Sequence, residues 1–292
     1  PVVKRREEVG NDRTPTAVVK RLCAAIDEVA QETGAIEAPV GIGFAGMLQG
    51  QDGFVANSPH FGWRDVPFGA MLREASGRTL AIDNDVNVIV FGEAQLGAAA
   101  GASDVLAVLA GTGIGGGIIA GGELISGGSG CAGEIGHTKV VLGDGARPCH
   151  CGKRGCVEAY LGGLNLRDRV LGELTGGAKS KAIAQAGRVV DVHLSHLDEA
   201  AAQGDDYALD LYDEIAPLLG VVLANAITIL NPSHLVLGGG VLSRTPILKQ
   251  QILATMQIAA NPPALDNLEV VDAALGDDAG LIGSALLALR RA

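Results

Sequence analysis

Three cysteines and a histidine are the residues of this sequence whose types and spacing point most directly to chemistry. Cys149, Cys151 and Cys156 lie within eight residues, and His137 precedes the first of them by twelve. Thiolate sulfur and imidazole nitrogen suit tetrahedral Zn²⁺, and three thiolates with one imidazole fill its four positions. A filled shell leaves no place for an activated water, so the pattern predicts a structural zinc site. A local disulfide or redox pair is the alternative, and His150 is a competing ligand.

The second candidate group is Asp83, Asn84, Asp85 and Asn87, which follow the apolar residues 80–82. A carboxylate at a strand end can take the proton from a substrate hydroxyl as that hydroxyl attacks phosphorus. An amide beside it can hold a neighbouring hydroxyl. Asn and Asp after a strand are also common turn and cap residues, so the residues alone leave both interpretations open.

Two glycine-rich loops follow apolar segments. Residues 111–117 come after the apolar run 105–110 and can cradle a phosphate with backbone N–H groups. They also match the dinucleotide pattern G-x-G-x-x-G, but we expect a strand and a turn after them, where a dinucleotide fold requires a helix. Residues 238–240 can approach a flat or anionic ligand such as adenosine or its phosphates, or form a tight turn.

Two glutamates flank the predicted metal site. Glu134 stands three residues before His137, and Glu158 two residues after Cys156. A zinc ligand usually donates its second ring nitrogen to an acceptor, and carboxylates held beside a rigid ion can receive sugar hydroxyls. The alternative makes both glutamates surface or helix-start residues.

Strands and helices are expected to alternate along the chain and to position these residues. Helices are expected at 14–34, after residue 85, through most of 157–230 with breaks near 176–177 and 204, at 245–256, and from 277 to 289. Strands are expected at 2–8, 40–44, 80–82, 105–110, 114–125, 234–237 and 268–271. Alternation of this kind is typical of an α/β fold with ligands at the strand ends.

Composition and charge exclude several classes of function. The chain has 292 residues, a formal net charge of −11, 48% hydrophobic residues, and few aromatics: one Trp, three Tyr and five Phe. A phosphate backbone or an anionic membrane would be repelled, and no stretch is expected to be long and apolar enough to span a bilayer. We therefore expect no nucleic acid or membrane partner. Clustered cysteines favour a reducing compartment, so the sequence predicts a cytoplasmic protein.

Taken together, these segments resemble the ROK family of bacterial sugar kinases and related repressors over nearly the whole chain. The resemblance is carried by residues 110–117, 127–128 and 133–137, by the cysteine motif through Glu158, by Asn84, Asp85 and Asn87 with residues 92–93, and by residues 231–232, 238–240 and 277–280.

The resemblance implies an actin-like ATPase (ribonuclease H-like) α/β fold, with two domains and the active site in an interdomain cleft. A small domain would comprise residues 1–104 and the C-terminal helix 277–292, and a larger domain with the zinc site residues 105–276. The resemblance further implies ATP-dependent phosphorylation of a hexose at O6, with Mg²⁺ accompanying ATP and Asp85 as general base. It assigns hexose hydroxyls to Gly46, Asn57, Asn84, Glu134, His137 and Glu158, and the nucleotide to Gly111, Thr112, Gly113, Gly239 and Gly240.

Within the family, the segment at residues 156–160 is most similar to glucokinases, which favours glucose and a role in glycolysis. The opening Asp-x-Gly-Gly-Thr phosphate loop of family kinases is not in this sequence. A catalytically weak sugar binder or sensor is therefore an alternative, as are a kinase for another hexose or an N-acetylated aminosugar. The residues do not separate ATP from polyphosphate as donor, and the resemblance implies a homodimer or dimer of dimers.

Overall fold

The computed structural model describes residues 2–291, which form two compact units. Unit 1 contains residues up to 102 together with 122–132 and the segment from 274 onward, and unit 2 contains 103–121 and 133–273. The predicted domain boundaries at residues 104 and 277 remain predictions. Pro1 and Ala292, where the predicted domains begin and end, lie outside the described residues.

Unit 1 opens with helix α1, Pro15–Thr33. Proline in its first turn and Gly34 in the left-handed conformation (φ 71°) at its end confirm the predicted helix. The prediction of a strand at residues 2–8 is wrong: this segment is irregular. Its basic side chains form ion pairs instead: Lys4 contacts Asp278, and Arg5 contacts Glu28.

A parallel pair of strands and two helices support the predicted catalytic segment in unit 1. Strand β1, Val40–Phe44, pairs in register with β5, Leu80–Asn84. Helix α3, Asp85–Leu96, starts directly after β5, and α11, Ala279–Arg291, packs on the pair. The backbones of β1 and α11 approach each other so closely that a Cβ on Gly41 would lie 1.8 Å from the Ser284 carbonyl oxygen.

A small antiparallel meander between β1 and β5 was not anticipated from the sequence. It consists of β2, Met47–Gln49, β3, Phe54–Ser58, and β4, Trp63–Val66, and is followed by helix α2, Phe68–Ser76. Phe44, Phe61, Trp63 and Phe68 stack against one another with ring centroids 4.8–5.6 Å apart. This aromatic cluster holds the meander, and pairing of Met47 with Asn57 brings Asn57 beside Gly46.

Unit 2 is built on a mixed sheet. Strand β6, Val105–Ala110, pairs antiparallel with β7, Ile114–Ala120, and parallel with β9, His234–Gly238, which pairs parallel with β10, Glu269–Asp272. A two-residue strand β8, Glu123–Leu124, follows the turn after β7 and belongs to the segment 122–132 that is assigned to unit 1. Because a strand and not a helix follows Gly113, the expectation that the glycine pattern is not a dinucleotide motif is confirmed.

Helices cover the core of unit 2. They are α4 (Glu158–Leu161), α5 (Gly163–Thr175), α6 (Lys181–Ala186), α7 (Leu194–Ala202), α8 (Asp206–Leu230), α9 (Gly240–Arg244) and α10 (Pro246–Ala259). The breaks predicted near residues 176 and 204 fall between these helices.

Helix α8 corrects one expectation from the sequence. Its 25 residues, with a mean hydropathy of 1.6 over the most apolar window, are long and apolar enough by length and composition to cross a membrane. The prediction that no stretch meets this criterion was therefore wrong. The physical reason is packing: Ile215, Leu219 and Leu223 are completely buried in the core of unit 2, and α8 packs along α10. A core helix needs such an apolar face without any membrane.

Candidate functional site

The turn from β5 into α3 is built on Asn84. Its side-chain oxygen accepts hydrogen bonds from the backbone N–H groups of Val86 (2.8 Å) and Asn87 (3.3 Å), which makes Asn84 the N-cap of α3. Its side-chain nitrogen donates to the Gly46 carbonyl oxygen at 3.0 Å. The structural use of Asn84, which the sequence left open, is therefore real, and it ties the turn to Gly46.

The two carboxylates of this turn have different surroundings. Asp83 is buried, and its Oδ1 accepts from the Asn84 N–H (2.9 Å) and the Asn87 amide (2.8 Å). Its Oδ2 pairs with Arg291 Nη2 at 3.0 Å. Both oxygens of Asp83 are thus committed, so Asp83 is not available as a proton acceptor.

Asp85 is the carboxylate suited to proton transfer. Its Oδ1 accepts one hydrogen bond, from the Val86 N–H at 3.0 Å. Burial raises the pKa of the Asp85 carboxyl above its ordinary value, partly offset by the backbone N–H groups of Val86 and Asp85 itself, by His60 and by the Asn84 side chain. Raising a carboxyl pKa increases its strength as a base. His60, in the segment between β3 and β4, was missed by sequence reasoning because no nearby motif singles it out.

Gly46, Asn57 and Asn84 come together next to Asp85. A Cβ on Gly46 would lie 2.9 Å from Ser58 Cβ and 3.0 Å from the Asn57 carbonyl oxygen, so the backbone there leaves no room for a side chain. The Ser58 hydroxyl donates to the Ala45 carbonyl at 2.7 Å and holds the two segments together. The predicted sugar-binding residues of unit 1 therefore form one group.

In unit 2 the four predicted metal ligands converge. The ligand atoms of His137, Cys149, Cys151 and Cys156 all lie within 4.8 Å of one another. The Cys149 sulfur is 3.7 Å from His137 Nδ1, and the Cys151 and Cys156 sulfurs are 3.6 Å apart. With Zn–S bonds of about 2.3 Å, a tetrahedron has edges of roughly 3.7 Å, so the spacing fits this ion. His137, and not His150, is the histidine of the cluster.

A thiol and a lysine at the cluster have unusual surroundings. Burial raises the pKa of the Cys149 thiol to about 12. Lys139 Nζ lies 2.7 Å from the Cys156 sulfur. Sequence reasoning missed Lys139, because its contact with Cys156 depends on a backbone bridge between the two residues that no local pattern shows.

The two glutamates lie at the cluster in different ways. Glu134 Oε2 is 3.8 Å from His137 Nε2, whereas Glu158 Oε1 is 4.0 Å from His137 Nδ1 and 3.7 Å from the Cys149 sulfur. The other oxygen of Glu158 accepts a hydrogen bond from the Ile114 N–H at 2.9 Å. Glu158 therefore connects the cysteine cluster with the glycine loop.

The predicted nucleotide-binding glycines also come together in unit 2. The Gly111 carbonyl accepts from the Gly163 N–H at 2.9 Å, and the Thr112 carbonyl from the Leu164 N–H at 3.0 Å. Gly239 has φ 89°, and a Cβ there would lie 2.3 Å from the Ala110 carbonyl oxygen. The loops after the parallel strands β6 and β9 thus meet, as strand ends do in α/β sheets.

Comparison with known proteins defines the class and then the family. The solved structures similar to this chain include a hexokinase, a glucokinase and a transcriptional regulator. They share the actin-like, two-domain ATPase fold of the α/β class, which confirms the predicted fold class. The ROK family model matches residues 2–291. The chain belongs to the ROK family.

The chain is similar to two glucokinases and to one transcriptional regulator. A glucokinase from Halalkalibacterium halodurans is 35% identical over 85% of this chain and 75% of its own. The structure of a ROK family glucokinase from Streptomyces griseus, in complex with glucose and AMPPNP, is 32% identical over 95% of this chain and 89% of that chain, with a TM-score of 0.77. A ROK family transcriptional regulator, a homologue of the E. coli MLC protein, is 25% identical over 94% of this chain and 68% of that chain, with a TM-score of 0.79.

Proposed function

We propose that this protein phosphorylates glucose at O6 with ATP, using Asp85 as the general base. The chain is a sugar kinase. In this reaction Asp85 takes the proton of the sugar hydroxyl while the hydroxyl oxygen attacks the γ-phosphorus. The bond between the γ-phosphorus and the β,γ-bridging oxygen breaks, and its electron pair leaves with ADP. The observation that carries the proposal is the contrast within one turn: Asp83 accepts on both oxygens, including an ionic contact from Arg291, whereas the Asp85 carboxyl has a pKa raised by burial and accepts from the Val86 N–H at Oδ1.

The other residues of the proposed site have supporting roles. Gly46, Asn57, Asn84, Glu134, His137 and Glu158 are assigned to the hydroxyls of the hexose, and Gly111, Thr112, Gly113, Gly239 and Gly240 to ATP. Asn84 has its side-chain oxygen engaged by the helix N-terminus, so its assigned contact with sugar uses the remaining N–H of its amide. Mg²⁺ would accompany ATP and would supply neutralisation of the charge on its phosphates.

We further propose that the cysteine cluster binds one structural Zn²⁺ ion through His137, Cys149, Cys151 and Cys156. The spacing of the ligand atoms supports this assignment. With four protein ligands the ion has no open position, so its part is to hold the loop that carries His137 and Glu158.

The test is ADP release by this chain with MgATP across glucose, mannose, fructose and N-acetylglucosamine. Sugar-dependent ADP release that is strongest with glucose supports the proposal. A stronger response to another sugar reassigns the substrate but keeps the kinase, and replacing ATP with polyphosphate identifies the donor. If no sugar causes ADP release while glucose binding is measurable by calorimetry, the glucokinase proposal is wrong.

A sugar-binding sensor is the second candidate. The observation that favours it is the similarity to a transcriptional regulator with a TM-score of 0.79. It predicts sugar binding without turnover, which the same experiment separates from kinase activity. A cytoplasmic location and a homodimeric or tetrameric assembly remain proposals; cell fractionation tests the first, and light scattering of the purified protein tests the second.

A further inference from the structure

Asp83 is a buried carboxylate that the proposed reaction does not use. Its side chain is 10% exposed, and it accepts three hydrogen bonds or ionic contacts from three different residues: the Asn84 N–H, the Asn87 amide and the Arg291 guanidinium. Two of these partners belong to the turn that carries Asp85. Asp83 therefore fixes that turn from beneath, at the end of β5.

Arg291 provides the counter-charge from the far end of the chain. It lies in the last turn of α11, and its side chain is 24% exposed. Nη2 contacts Asp83 Oδ2 at 3.0 Å, and Nη1 donates to the Ile82 carbonyl oxygen at 3.4 Å. Because Asp83 is the more buried member of this pair, removal of Arg291 leaves an unbalanced charge at a poorly solvated position.

We propose that Asp83 and Arg291 are positioning residues that set the orientation and the electrostatic surroundings of Asp85. Asp83 holds Asn84 through its backbone N–H, and Asn84 in turn caps the first turn of α3. The Asp83 bond to the Asn87 side chain fixes the same helical turn from its other side. Helix α11 thereby helps to hold the carboxylate that the proposed function uses as a base.

The charges that face Asp85 within unit 1 are few. Strands β1 and β2 carry no titratable residue, and β5 carries only Asp83. Helix α3 carries Glu93 besides Asp85, α11 carries Arg290 and Arg291, and His60 lies in the segment between β3 and β4. Arg290 instead contacts Glu123. Asp83 and Arg291 balance each other in the parent protein, so removing either charge exposes Asp85 to the field of the other.

The two single substitutions should therefore move the pKa of Asp85 in opposite directions. Arg291→Gln leaves the Asp83 anion unbalanced two residues from Asp85, and a nearby like charge raises a carboxyl pKa by about half a pH unit at a partly solvated site. Asp83→Asn leaves the Arg291 cation unbalanced, and a nearby opposite charge lowers the Asp85 pKa by about the same amount. The double variant Asp83→Asn/Arg291→Gln should return near the parent value.

The experiment measures this pKa directly. Protein labelled with ¹³C at the aspartate carboxyls is titrated by NMR, and the Asp85 signal is identified as the one missing from Asp85→Asn. Arg290→Gln serves as the matched control, because it removes the neighbouring arginine charge without touching Asp83. Opposite shifts in the single variants, recovery in the double variant and no shift in the control are the expected result.

Equal Asp85 pKa values in all variants, or shifts of the same sign in both single variants, would overturn the inference. If Asp83→Asn does not fold, Arg291→Gln and Arg291→Lys supply the comparison, because only the former should raise the pKa. The inference rests on the proposed function only for the role of Asp85 as base. The titration needs no turnover, so a protein without kinase activity that shows the opposite shifts would refute the function and leave the inference standing.

If the kinase is active, a second readout is available. The acidic limb of the pH dependence of kcat/KM should move with the titrated pKa, and kcat of Asp83→Asn should fall about tenfold as the base loses its orientation. KM for ATP should stay within about twofold of the parent, because Asp83 lies outside the glycine loops assigned to ATP. A parallel loss of kcat and of thermal stability, with an unmoved pH profile, would contradict the positioning role.

Discussion

In unit 1 the residues of the candidate catalytic turn follow one another from Asp83 to Asn87, whereas in unit 2 the candidate metal ligands are spread over the loops from His137 to Cys156. The contiguous turn depends on distant partners, since Asn84 is bonded to Gly46 and Asp83 to Arg291. The spread cluster depends on local ones: short backbone bridges join Pro148 to Arg154 and Lys139 to Cys156.

Residues that are adjacent in sequence can therefore depend on distant partners for their geometry, and residues that are spread along the chain can be held by local contacts. Cysteine and histidine have few common uses when they converge, so the cluster identifies its own chemistry. Two aspartates two residues apart have many uses, and only their tertiary partners show which one is structural and which one is available to react. Substitutions in the two regions should therefore fail in different ways.

The largest expected effect comes from Asp85→Asn in unit 1. Loss of a general base lowers turnover by about 10²- to 10⁴-fold, while sugar affinity should stay within a few-fold. Turnover is measured by coupled ADP detection and affinity by calorimetry. Near-normal turnover would show that Asp85 is not the general base, and the turn of unit 1 would then no longer be a candidate catalytic turn.

The same substitution should change stability with pH in a defined direction. The folded pKa of Asp85 is raised by burial, so its contribution to stability is fully present below the unfolded pKa and is lost as the pH rises through the folded pKa. Asp85→Asn should therefore have a higher Tm than the parent at neutral pH, and this gain should vanish at pH values below the ordinary carboxyl pKa. Calorimetric scans over that pH range test the sign.

The second effect in size is expected from Cys151→Ser in unit 2. Removal of one thiolate should reduce bound zinc from about one ion per chain to a small fraction and should lower the Tm by several degrees, because metal binding is coupled to folding. Elemental analysis and thermal scans with and without chelator measure both. Cys131→Ser, outside the cluster, is the matched control; equal zinc loss in both variants would contradict the ligand assignment.

Glu93→Gln should lower stability without altering the chemistry. Glu93 is completely buried, and its carboxylate accepts from the N–H groups of Ala98 (2.8 Å), Ala274 (3.1 Å) and Leu275 (2.9 Å). Glutamine has an NH₂ group in place of one carboxylate oxygen, so at least one of these N–H groups would face another donor instead of an acceptor. This loss should lower the free energy of unfolding by about 2 to 3 kcal/mol. Chemical unfolding measures the loss, with exposed Glu74→Gln as control. A shifted pH dependence of turnover would contradict a purely structural role of Glu93, which is to connect α3 with the segment at residues 274–275.

The smallest effect should come from the glycine loop of unit 2. A Cβ on Gly113 would lie 2.3 Å from Glu158 Oε2, so Gly113→Ala should disturb the Glu158 bond to Ile114 and cost about 1 to 2 kcal/mol of stability. A Cβ on Gly111 meets no described atom within 4 Å, so Gly111→Ala is the matched control. Thermal unfolding without nucleotide compares them; equal Tm values would show that Glu158 does not hold the loop.

Much of the secondary structure was predictable from local patterns. Proline and glycine mark the ends of α1, and continuous apolar runs mark β1, β6 and β9. The meander β2–β4 escaped prediction because its strands are three to five residues long. Its aromatic contacts join Phe44, Phe61, Trp63 and Phe68, whose spacing in the sequence follows no strand or helix period. The apolar character of α8 was underestimated because several acidic residues in its first half interrupt the pattern without removing its buried face.

The sequence by itself determined the α/β class, the three cysteines of the candidate metal site and the turn on which the candidate base lies, because these follow from side-chain chemistry and short spacings. Only the tertiary structure decided that His137 rather than His150 joins the cysteines, and that Asp83 is bonded on both oxygens while burial raises the pKa of Asp85. The physical reason is the same in each case. Hydrogen bonds and ion pairs from residues such as Arg291, 208 positions away, set the surroundings of a side chain, and no local pattern records them.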